Sequence, residues 1–170
     1  EESPAKSSDT SRQFVREAEQ TPPGLLREYL YYRLLNSVTD LSFKVRLLQV
    51  VWVDSEERRA SMVRSAFLIE HKDRLAARIG LTEQEIESAE ITAIEPDHLN
   101  LLSMFQYLIG NVDFSPLAGS DGECCHNFSM FGNDLESLVA IPYDFDFSGI
   151  IDTRYARPDA QLSIRGVRER

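Results

Sequence analysis

The sequence predicts an α+β fold in which a helix and a small antiparallel sheet precede a mostly helical second half. Apolar residues recur at helical spacing over residues 25–38 and again over 97–109. Between these helices, residues 43–53 and 62–69 are rich in β-branched and aromatic side chains, a composition typical of strands. The chain has 170 residues, of which 42% are hydrophobic, so it has the size of one domain and can bury a core.

The first half of the chain begins with a polar segment and continues into a helix and two strands. Residues 1–24 are mostly small and polar and end in a Thr-Pro-Pro-Gly break, which predicts a flexible N-terminal segment. The strand at 43–53 starts with an alternation of apolar and basic residues, and a polar turn at 54–59 leads to the second strand. We expect these two strands to pair as an antiparallel hairpin.

Short helices are predicted to follow the hairpin. Residues 71–79 form a helix that ends at Gly80, because glycine readily adopts the left-handed conformation found at helix ends. Thr82 and Glu85 match a capping box, which predicts the start of another short helix.

The helix at 97–109 is expected to be buried. Pro96 suits its first turn, and Gly110 ends it. Beyond this helix, a loop rich in glycine and serine leads to short strands near 128–131 and 138–141. The predicted apolar face of the helix comprises Leu99, Leu102, Phe105, Leu108 and Ile109.

The charge and the distribution of apolar residues argue against nucleic-acid binding and against a membrane-spanning helix. The formal net charge is −10, and an acidic chain is not expected to bind nucleic acid, because phosphate binding needs a cationic surface. No apolar run approaches the ~18 residues that a membrane-spanning helix requires. Residues 83–97 carry six acidic side chains and no Lys or Arg, and we interpret them as a solvated acidic face.

Several further side chains are assigned structural roles. Cys124 and Cys125 are adjacent, so they cannot crosslink distant segments, and we expect them to be half-buried loop residues. The three tyrosines of the first helix are expected to pack, as is Trp52, in the core or at a hinge. His71 and His98 are expected at the surface.

Potential ligands are concentrated just outside the apolar segments of the second half. If those segments pack together, carboxylates and amides converge at one rim, where a cation must neutralise the carboxylates. An oxygen-rich cluster of this kind suits Mg²⁺ or Mn²⁺ better than zinc. In chain order, the residues are Asn111, Asp113, His126, Asn127, Asp144 and Asp146.

Three segments around these residues resemble the protein-kinase-like superfamily, in particular its atypical CotH-type and HipA-type branches. They are LLSMFQYLIGNVDFS (101–115), HNF (126–128) and IPYDFDFSG (141–149). In that superfamily a buried helix leads into a catalytic loop, and a DFG-like motif follows. The resemblance implies transfer of the ATP γ-phosphate to the hydroxyl group of a protein or small molecule, with Mg²⁺ or Mn²⁺ and ATP as cofactors.

The resemblance also implies roles for individual residues. Asp113 would be the catalytic base, Asn127 a metal ligand and Asp144 the DFG-like metal ligand. Asp146, in the DxD form typical of the atypical branches, is a second metal-ligand candidate. Asn111 and His126 would shape the loop.

The resemblance predicts a partial N-lobe over 25–70, with a hinge near 67–71, and a C-lobe over 71–170. The chain contains no GxGxxG motif, so we expect the phosphate loop and the ATP-binding lysine to lie upstream. Glu28 on the αC-like helix would then pair with that lysine, or it is a solvated helix residue. A catalytically silent kinase-like binding domain remains the alternative function.

Overall fold

The computed structural model describes residues 23–117, 124–151, 156 and 165. Within them the fold is α+β, as predicted, with three α-helices, a short 3-10 helix and two small antiparallel sheets. Residues 1–22 of the predicted N-terminal segment lie outside this part. In chain order the elements are α1 (Pro23–Val38), β1 (Val45–Trp52), β2 (Met62–Ile69), α2 (Lys72–Ile79), β3 (Thr82–Glu83), the 3-10 helix (Ile91–Ala93), α3 (Pro96–Ile109), β4 (Phe128–Gly132) and β5 (Leu138–Pro142).

The predicted first helix and hairpin are confirmed. Strands β1 and β2 pair antiparallel along their whole length, from Val45 opposite Ile69 to Trp52 opposite Met62. Helix α1 lies against one face of this hairpin, where the ring of Tyr32 contacts that of Phe67 with centroids 5.7 Å apart. A two-stranded sheet is marginal by itself, so this aromatic packing helps to hold it.

Trp52 is an exception to the predicted packing, because 60% of its surface is exposed. Side chains alternate between the two faces of a strand, so Trp52 lies on the face opposite to that of the buried Val45. In the part of the chain that the structure describes, the hairpin forms a sheet of only two strands. The prediction that Trp52 packs in the core or at a hinge is therefore wrong.

Arg78 joins helix α2 to the loop that precedes β1. Its guanidinium group donates hydrogen bonds of 2.7 Å to the carbonyl oxygens of Asp40 and Ser42, and one of 2.7 Å to Oε2 of Glu70. Helix α2 ends at Gly80, whose φ of 71° is left-handed, as the glycine signal predicted. The guanidinium thus links helix α2 to both ends of the hairpin.

The second sheet has the strand order β3-β4-β5, with both pairings antiparallel. Thr82 and Glu83 form strand β3, with Thr82 opposite Gly132, so the prediction that Thr82 opens a helix is wrong. The adjacent backbone amide of Gln84 donates to the carbonyl of Met130 at 2.8 Å. Pairing with the edge of β4 therefore outweighs the local capping signal.

Helix α3 buries one stripe and exposes more apolar surface than expected. Leu102, Phe105 and Ile109 are buried, as predicted, and the helix ends at Gly110. Leu108 is 69% exposed, so its placement on the buried face was wrong. Leu108 immediately precedes the buried Ile109, and successive residues of a helix lie about 100° apart around its axis. Leu108 therefore points away from the core.

His98 near the start of α3 is buried, with 5% of its surface exposed, which corrects its predicted surface position. Its Nε2 atom lies 3.1 Å from the carbonyl oxygen of Ala140 in β5. The Glu95 side chain caps the helix by accepting hydrogen bonds from the backbone amides of Asp97 and His98. The histidine is therefore a link between α3 and the sheet.

Phe145 lies at the centre of the core and is fully buried. Its ring centroid is 4.8 Å from that of Tyr32 in α1 and 5.9 Å from that of Phe105 in α3. The residues on either side of Phe145 are therefore held where the two helices approach each other.

A search of the described helices finds none with the length and hydropathy that a membrane span requires.

Candidate functional site

Asp113, His126 and Asn127 form one hydrogen-bonded group. The carboxylate oxygen Oδ1 of Asp113 lies 2.9 Å from Nε2 of His126. The Asn127 side-chain amide donates to the Asp113 carbonyl oxygen at 2.7 Å and to Oδ2 of Asp113 at 3.2 Å. Both carboxylate oxygens of Asp113 therefore have a protein partner, which fixes the orientation of the carboxylate.

Backbone contacts hold the same two loops together. The side-chain oxygen of Asn111 accepts a hydrogen bond from the Asp113 amide at 3.0 Å, as expected of a residue that shapes this loop. The Ser115 amide donates to the carbonyl of His126 at 2.9 Å. Asn127 itself has a φ of 56°, a left-handed conformation that few residues other than glycine adopt. Such a conformation persists only where its surroundings hold it.

Asp144 is placed beside this group by the end of β5. The Tyr143 amide donates to the carbonyl of Asn127 at 3.0 Å. The two backbone segments therefore lie side by side immediately before Asp144. The Asp144 amide donates to the hydroxyl of Tyr32 at 2.9 Å. Asp144 also has a left-handed φ, of 58°. Loops from α3, β4 and β5 thus meet at one place, together with helix α1.

Asp144 and Asp146 repel each other. Asp144 remains exposed on one side, but partial burial, followed by repulsion from Asp146, raises its pKa to about 6. The two carboxyl groups also share a hydrogen bond, and Asp113 adds a weaker repulsion. Asp113 and Asp144 are therefore near enough for their charges to interact.

Glu28 on helix α1 faces the same carboxylates. Burial raises its pKa to about 7, and repulsion from Asp144 and then Asp146 adds to this effect, although a hydrogen bond with the Phe145 backbone opposes it. Glu28 is half-buried rather than solvated. We refer to Glu28, Asp113, Asp144 and Asp146 as the carboxylate cluster.

The carboxylate cluster and Asn127 offer oxygen ligands to a cation. No three His, Cys, Asp or Glu side chains among the described residues are arranged as a metal site. The donors are nevertheless of the type that Mg²⁺ prefers, because carboxylates and an amide oxygen are hard ligands. Asp144 and Asp146 repel each other, and a cation bound between them would reduce this repulsion. By the chemistry of the donors, the residues fit a hard divalent cation.

The structure connects the predicted site residues through a series of pairwise interactions. Asn127 bonds to Asp113, and the charge of Asp113 acts on Asp144. Asp144 and Asp146 repel each other and also act on Glu28. Tyr32, which was predicted only to pack, also bonds to the backbone amide of Asp144. No local pattern could have indicated this contact, because the two residues are 112 positions apart.

A cavity of about 440 Å³ is lined by residues 83–87 and by the first residues of β4. Its walls include Phe128 and Tyr143, which are the chain neighbours of Asn127 and Asp144. Cys124 and Cys125 also line it; both are half-buried, as expected, and their sulfur atoms are bonded to each other. This volume lies within the range of sites that bind small molecules.

Comparison of the chain with known proteins finds no matching family model, no matching curated protein and no matching solved structure.

Proposed function

We propose that this chain carries the catalytic and metal-binding residues of a kinase-like phosphotransferase that moves the ATP γ-phosphate to a hydroxyl group. The observation that supports this function best is the convergence of Asp113, Asn127 and Asp144, which come from three separate loops. Phosphoryl transfer requires a positioned hydroxyl and neutralised phosphate charge, and it needs little covalent help from the protein. A base and two oxygen ligands at one place meet these requirements.

Asp113 is the base in this proposal. Its two carboxylate oxygens receive hydrogen bonds from His126 and Asn127, and each oxygen keeps a second lone pair that can accept the proton of a hydroxyl. The hydroxyl oxygen attacks the γ-phosphorus as its proton passes to Asp113. The bond from the γ-phosphorus to the bridging oxygen breaks, and ADP leaves.

Asn127, Asp144 and Asp146 would hold Mg²⁺. The cation would supply positive charge to the phosphate oxygens of the nucleotide. The Asn127 amide nitrogen already donates to Asp113, which leaves its amide oxygen for this role. The Tyr32 hydroxyl orients Asp144 through its backbone amide.

Substitution of Asp144 tests the proposal. We expect Asp144→Asn to abolish Mg²⁺-dependent ATP binding, measured by titration calorimetry with and without Mg²⁺, because the amide lacks the charge that the cation needs. The experiment uses the parent protein and the variant at equal concentration. Mg²⁺-dependent ATP binding that is the same in both proteins would contradict the proposal.

Asp134→Asn is the matched control. Asp134 lies in the turn between β4 and β5, where it accepts hydrogen bonds from the amides of Glu136 and Ser137. An amide oxygen can accept the same bonds, and we expect unchanged ATP binding. Binding of ATP with no transfer to any hydroxyl acceptor would instead support the catalytically silent binding domain.

A further inference from the structure

Cys124 and Cys125 immediately precede the two loop residues that contact Asp113. They are the only two cysteines of the sequence, so within this sequence each has only its neighbour as a disulfide partner. In the structure their sulfur atoms are bonded to each other. Both residues are only half-buried and line a cavity, so a small thiol can reach them. The pair is therefore an accessible site of thiol–disulfide exchange.

Backbone hydrogen bonds hold the segment 124–127 on both sides of the cysteine pair. The Cys124 amide donates to the carbonyl of Glu87 at 2.7 Å, and the carbonyl of His126 accepts from the Ser115 amide at 2.9 Å. The two cysteine side chains also pack against the hydrophobic core. The pair thus lies in the backbone between two fixed points, and a change in its conformation acts on the residues that follow it.

Asn127, two residues after Cys125, depends on how this backbone is held. Its φ of 56° is left-handed, a conformation that persists only where the surroundings hold it. Its side-chain amide donates to the carbonyl oxygen of Asp113 at 2.7 Å and to Oδ2 of the same residue at 3.2 Å. The position of Asn127 beside Asp113 is therefore sensitive to a loss of restraint at Cys125.

A disulfide between neighbouring residues restricts the backbone that joins them. It closes a small ring that includes the peptide bond between Cys124 and Cys125. Reduction opens this ring and returns conformational freedom to the backbone and side-chain torsions that it held. A freer chain loses more entropy when it is ordered, so the arrangement of the following residues is less favourable in the dithiol form.

We propose that Cys124 and Cys125 form a redox modification site whose thiol–disulfide state regulates the divalent-cation site through Asn127. The disulfide form holds Asn127 beside Asp113 with its amide oxygen directed to the cation, and the dithiol form binds the cation and nucleotide more weakly. The inference rests on the proposed phosphotransfer function, because that function assigns Asn127 to the cation.

The modification is a two-electron exchange with a low-molecular-weight thiol such as glutathione. The glutathione thiolate attacks one cysteine sulfur, the bond between the two cysteine sulfurs breaks, and a mixed disulfide forms. A second glutathione thiolate attacks the mixed disulfide and releases the cysteine. Two glutathione molecules are thereby oxidised to glutathione disulfide, and their two thiol protons pass to the two cysteine thiolates. The same steps in reverse restore the disulfide.

Amide hydrogen exchange tests the effect on the segment without nucleotide. The full chain is equilibrated with oxidised or with reduced glutathione, and alkylation followed by mass spectrometry counts the free thiols in each sample. We expect the amides of Ser115 and Tyr143, whose acceptors are His126 and Asn127, to exchange about fivefold faster in the reduced protein. The amide of Gly80 at the end of α2 is the control and should not change. Equal exchange in the two samples would overturn the proposal.

The double variant Cys124→Ser, Cys125→Ser removes both sulfur atoms and keeps side chains of similar size. We expect it to show the faster exchange of the reduced parent with either form of glutathione, and a thermal unfolding curve shows that it is folded. A variant that still responds to glutathione would contradict the proposal. So would a disulfide that joins two molecules of the parent in a non-reducing gel.

Binding of ATP and Mg²⁺ to the two redox forms of the parent tests the regulation. We expect titration calorimetry to show about fivefold weaker binding to the reduced form. Coupling between two binding equilibria is reciprocal. Saturating ATP and Mg²⁺ should therefore shift the glutathione equilibrium toward the protein disulfide by the same factor.

The outcome of this titration separates the inference from the proposed function. If ATP and Mg²⁺ bind both redox forms with equal affinity, the proposed function stands and the redox regulation is wrong. If ATP and Mg²⁺ bind neither form, the proposed function fails and the regulation fails with it. If reduction abolishes the cooperative unfolding transition, the disulfide stabilises the whole fold, and the proposal of a local switch is overturned.

Discussion

The hydroxyl of Tyr32 accepts a hydrogen bond of 2.9 Å from the backbone amide of Asp144, across 112 positions of sequence. Tyr32 is fully buried, and its ring packs against that of Phe145, the next residue after Asp144. Two contacts from one side chain therefore fix the segment that follows β5. The position of α1 consequently determines where Asp144 lies in the carboxylate cluster.

Tyr32→Phe is expected to destabilise the protein modestly. The substitution keeps the ring that packs against Phe145 and removes the acceptor of the Asp144 amide. The net contribution of one such hydrogen bond to the free energy of unfolding is about 1 kcal/mol. Because Asp144 is exposed on one side, water can replace part of the loss. Urea unfolding, with the free energy extrapolated to water, measures the change.

Tyr29→Phe provides the control for this measurement. Tyr29 also lies on α1, and its ring is 6.1 Å from that of Phe67, but its hydroxyl forms no hydrogen bond with the described residues. We expect its unfolding free energy to change by less than ~0.5 kcal/mol. Equal effects of the two substitutions would contradict the role given to the Tyr32 hydroxyl.

Gly132 at the end of β4 is required by its close contacts. A Cβ atom at this position would lie 2.7 Å from the carbonyl oxygen of Ser137 and 2.8 Å from that of Asp134. Both atoms belong to the backbone and cannot turn away, so we expect Gly132→Ala to cost about 1–3 kcal/mol. Thermal and urea unfolding measure this loss.

Gly24→Ala is the matched control and should have the opposite sign. Gly24 lies in α1, where a Cβ atom would be 3.5 Å from Cγ2 of Ile151, an ordinary contact. Alanine favours a helix over glycine by up to ~1 kcal/mol. If Gly132→Ala proves as well tolerated as Gly24→Ala, the turn between β4 and β5 differs from the one described.

The sequence predicted those parts of the fold that local signals determine. Helix α1, the β1–β2 hairpin and the glycine at the end of α2 follow from periodicity, alternation and the φ preference of Gly80. Thr82 shows where this reasoning fails, because its capping-box pattern yields to pairing with Gly132, 50 positions along the chain. His98 and Trp52 were misplaced for a related reason, since burial depends on which neighbour covers a face.

The candidate site was predictable in its composition but not in its arrangement. Polar residues after apolar segments indicated that Asp113, Asn127 and Asp144 would lie near one another; Asn127 bonds to Asp113, and the charge of Asp113 acts on Asp144. The contribution of Glu28 depends on how α1 packs against the loop at Asp144, which no local pattern contains. The resemblance to kinase-like proteins remains a prediction, and so do the roles that it implies for these residues.

His98 is expected to make the protein sensitive to acid. Burial lowers its pKa below the usual 6.5, although the carbonyl of Ala140 partly opposes this shift. Below pH 6.5 the unfolded chain therefore binds a proton that the folded protein resists, and the free energy of unfolding falls as the pH falls. His98→Gln retains a donor for Ala140 but does not titrate. Its stability should decline less between pH 7 and pH 5 than that of the parent.

Measurement at pH 8 is the control for this series. Above the unperturbed pKa of 6.5, His98 is neutral in both the folded and the unfolded state, so the difference between the parent and His98→Gln there reports packing alone. A parallel pH profile for His98→Gln and the parent would mean that the burial of His98 has no cost in its charged form.

Glu28 is expected to have the opposite effect on the pH dependence. Its pKa is about 7 in the folded protein and 4.5 when unperturbed, so the folded state binds more protons between these values. The free energy of unfolding therefore falls as the pH rises through this window, and the loss is complete above pH 7. Glu28→Gln removes the charge that burial and the repulsion from Asp144 disfavour. At pH 8 we expect the variant to melt roughly 2–4 °C higher, a modest shift because water screens a half-buried charge.

The pH profile separates this effect from a general change in stability. The parent and Glu28→Gln should have similar melting temperatures at pH 4.5, where the carboxyl group is largely protonated in the folded protein, and should diverge as the pH rises to 8. Glu136→Gln, at an exposed position in the turn between β4 and β5, is the control and should follow the parent throughout. A constant difference between Glu28→Gln and the parent at every pH would place Glu28 away from the other carboxylates, because only its loss of a proton brings it into conflict with Asp144 and Asp146.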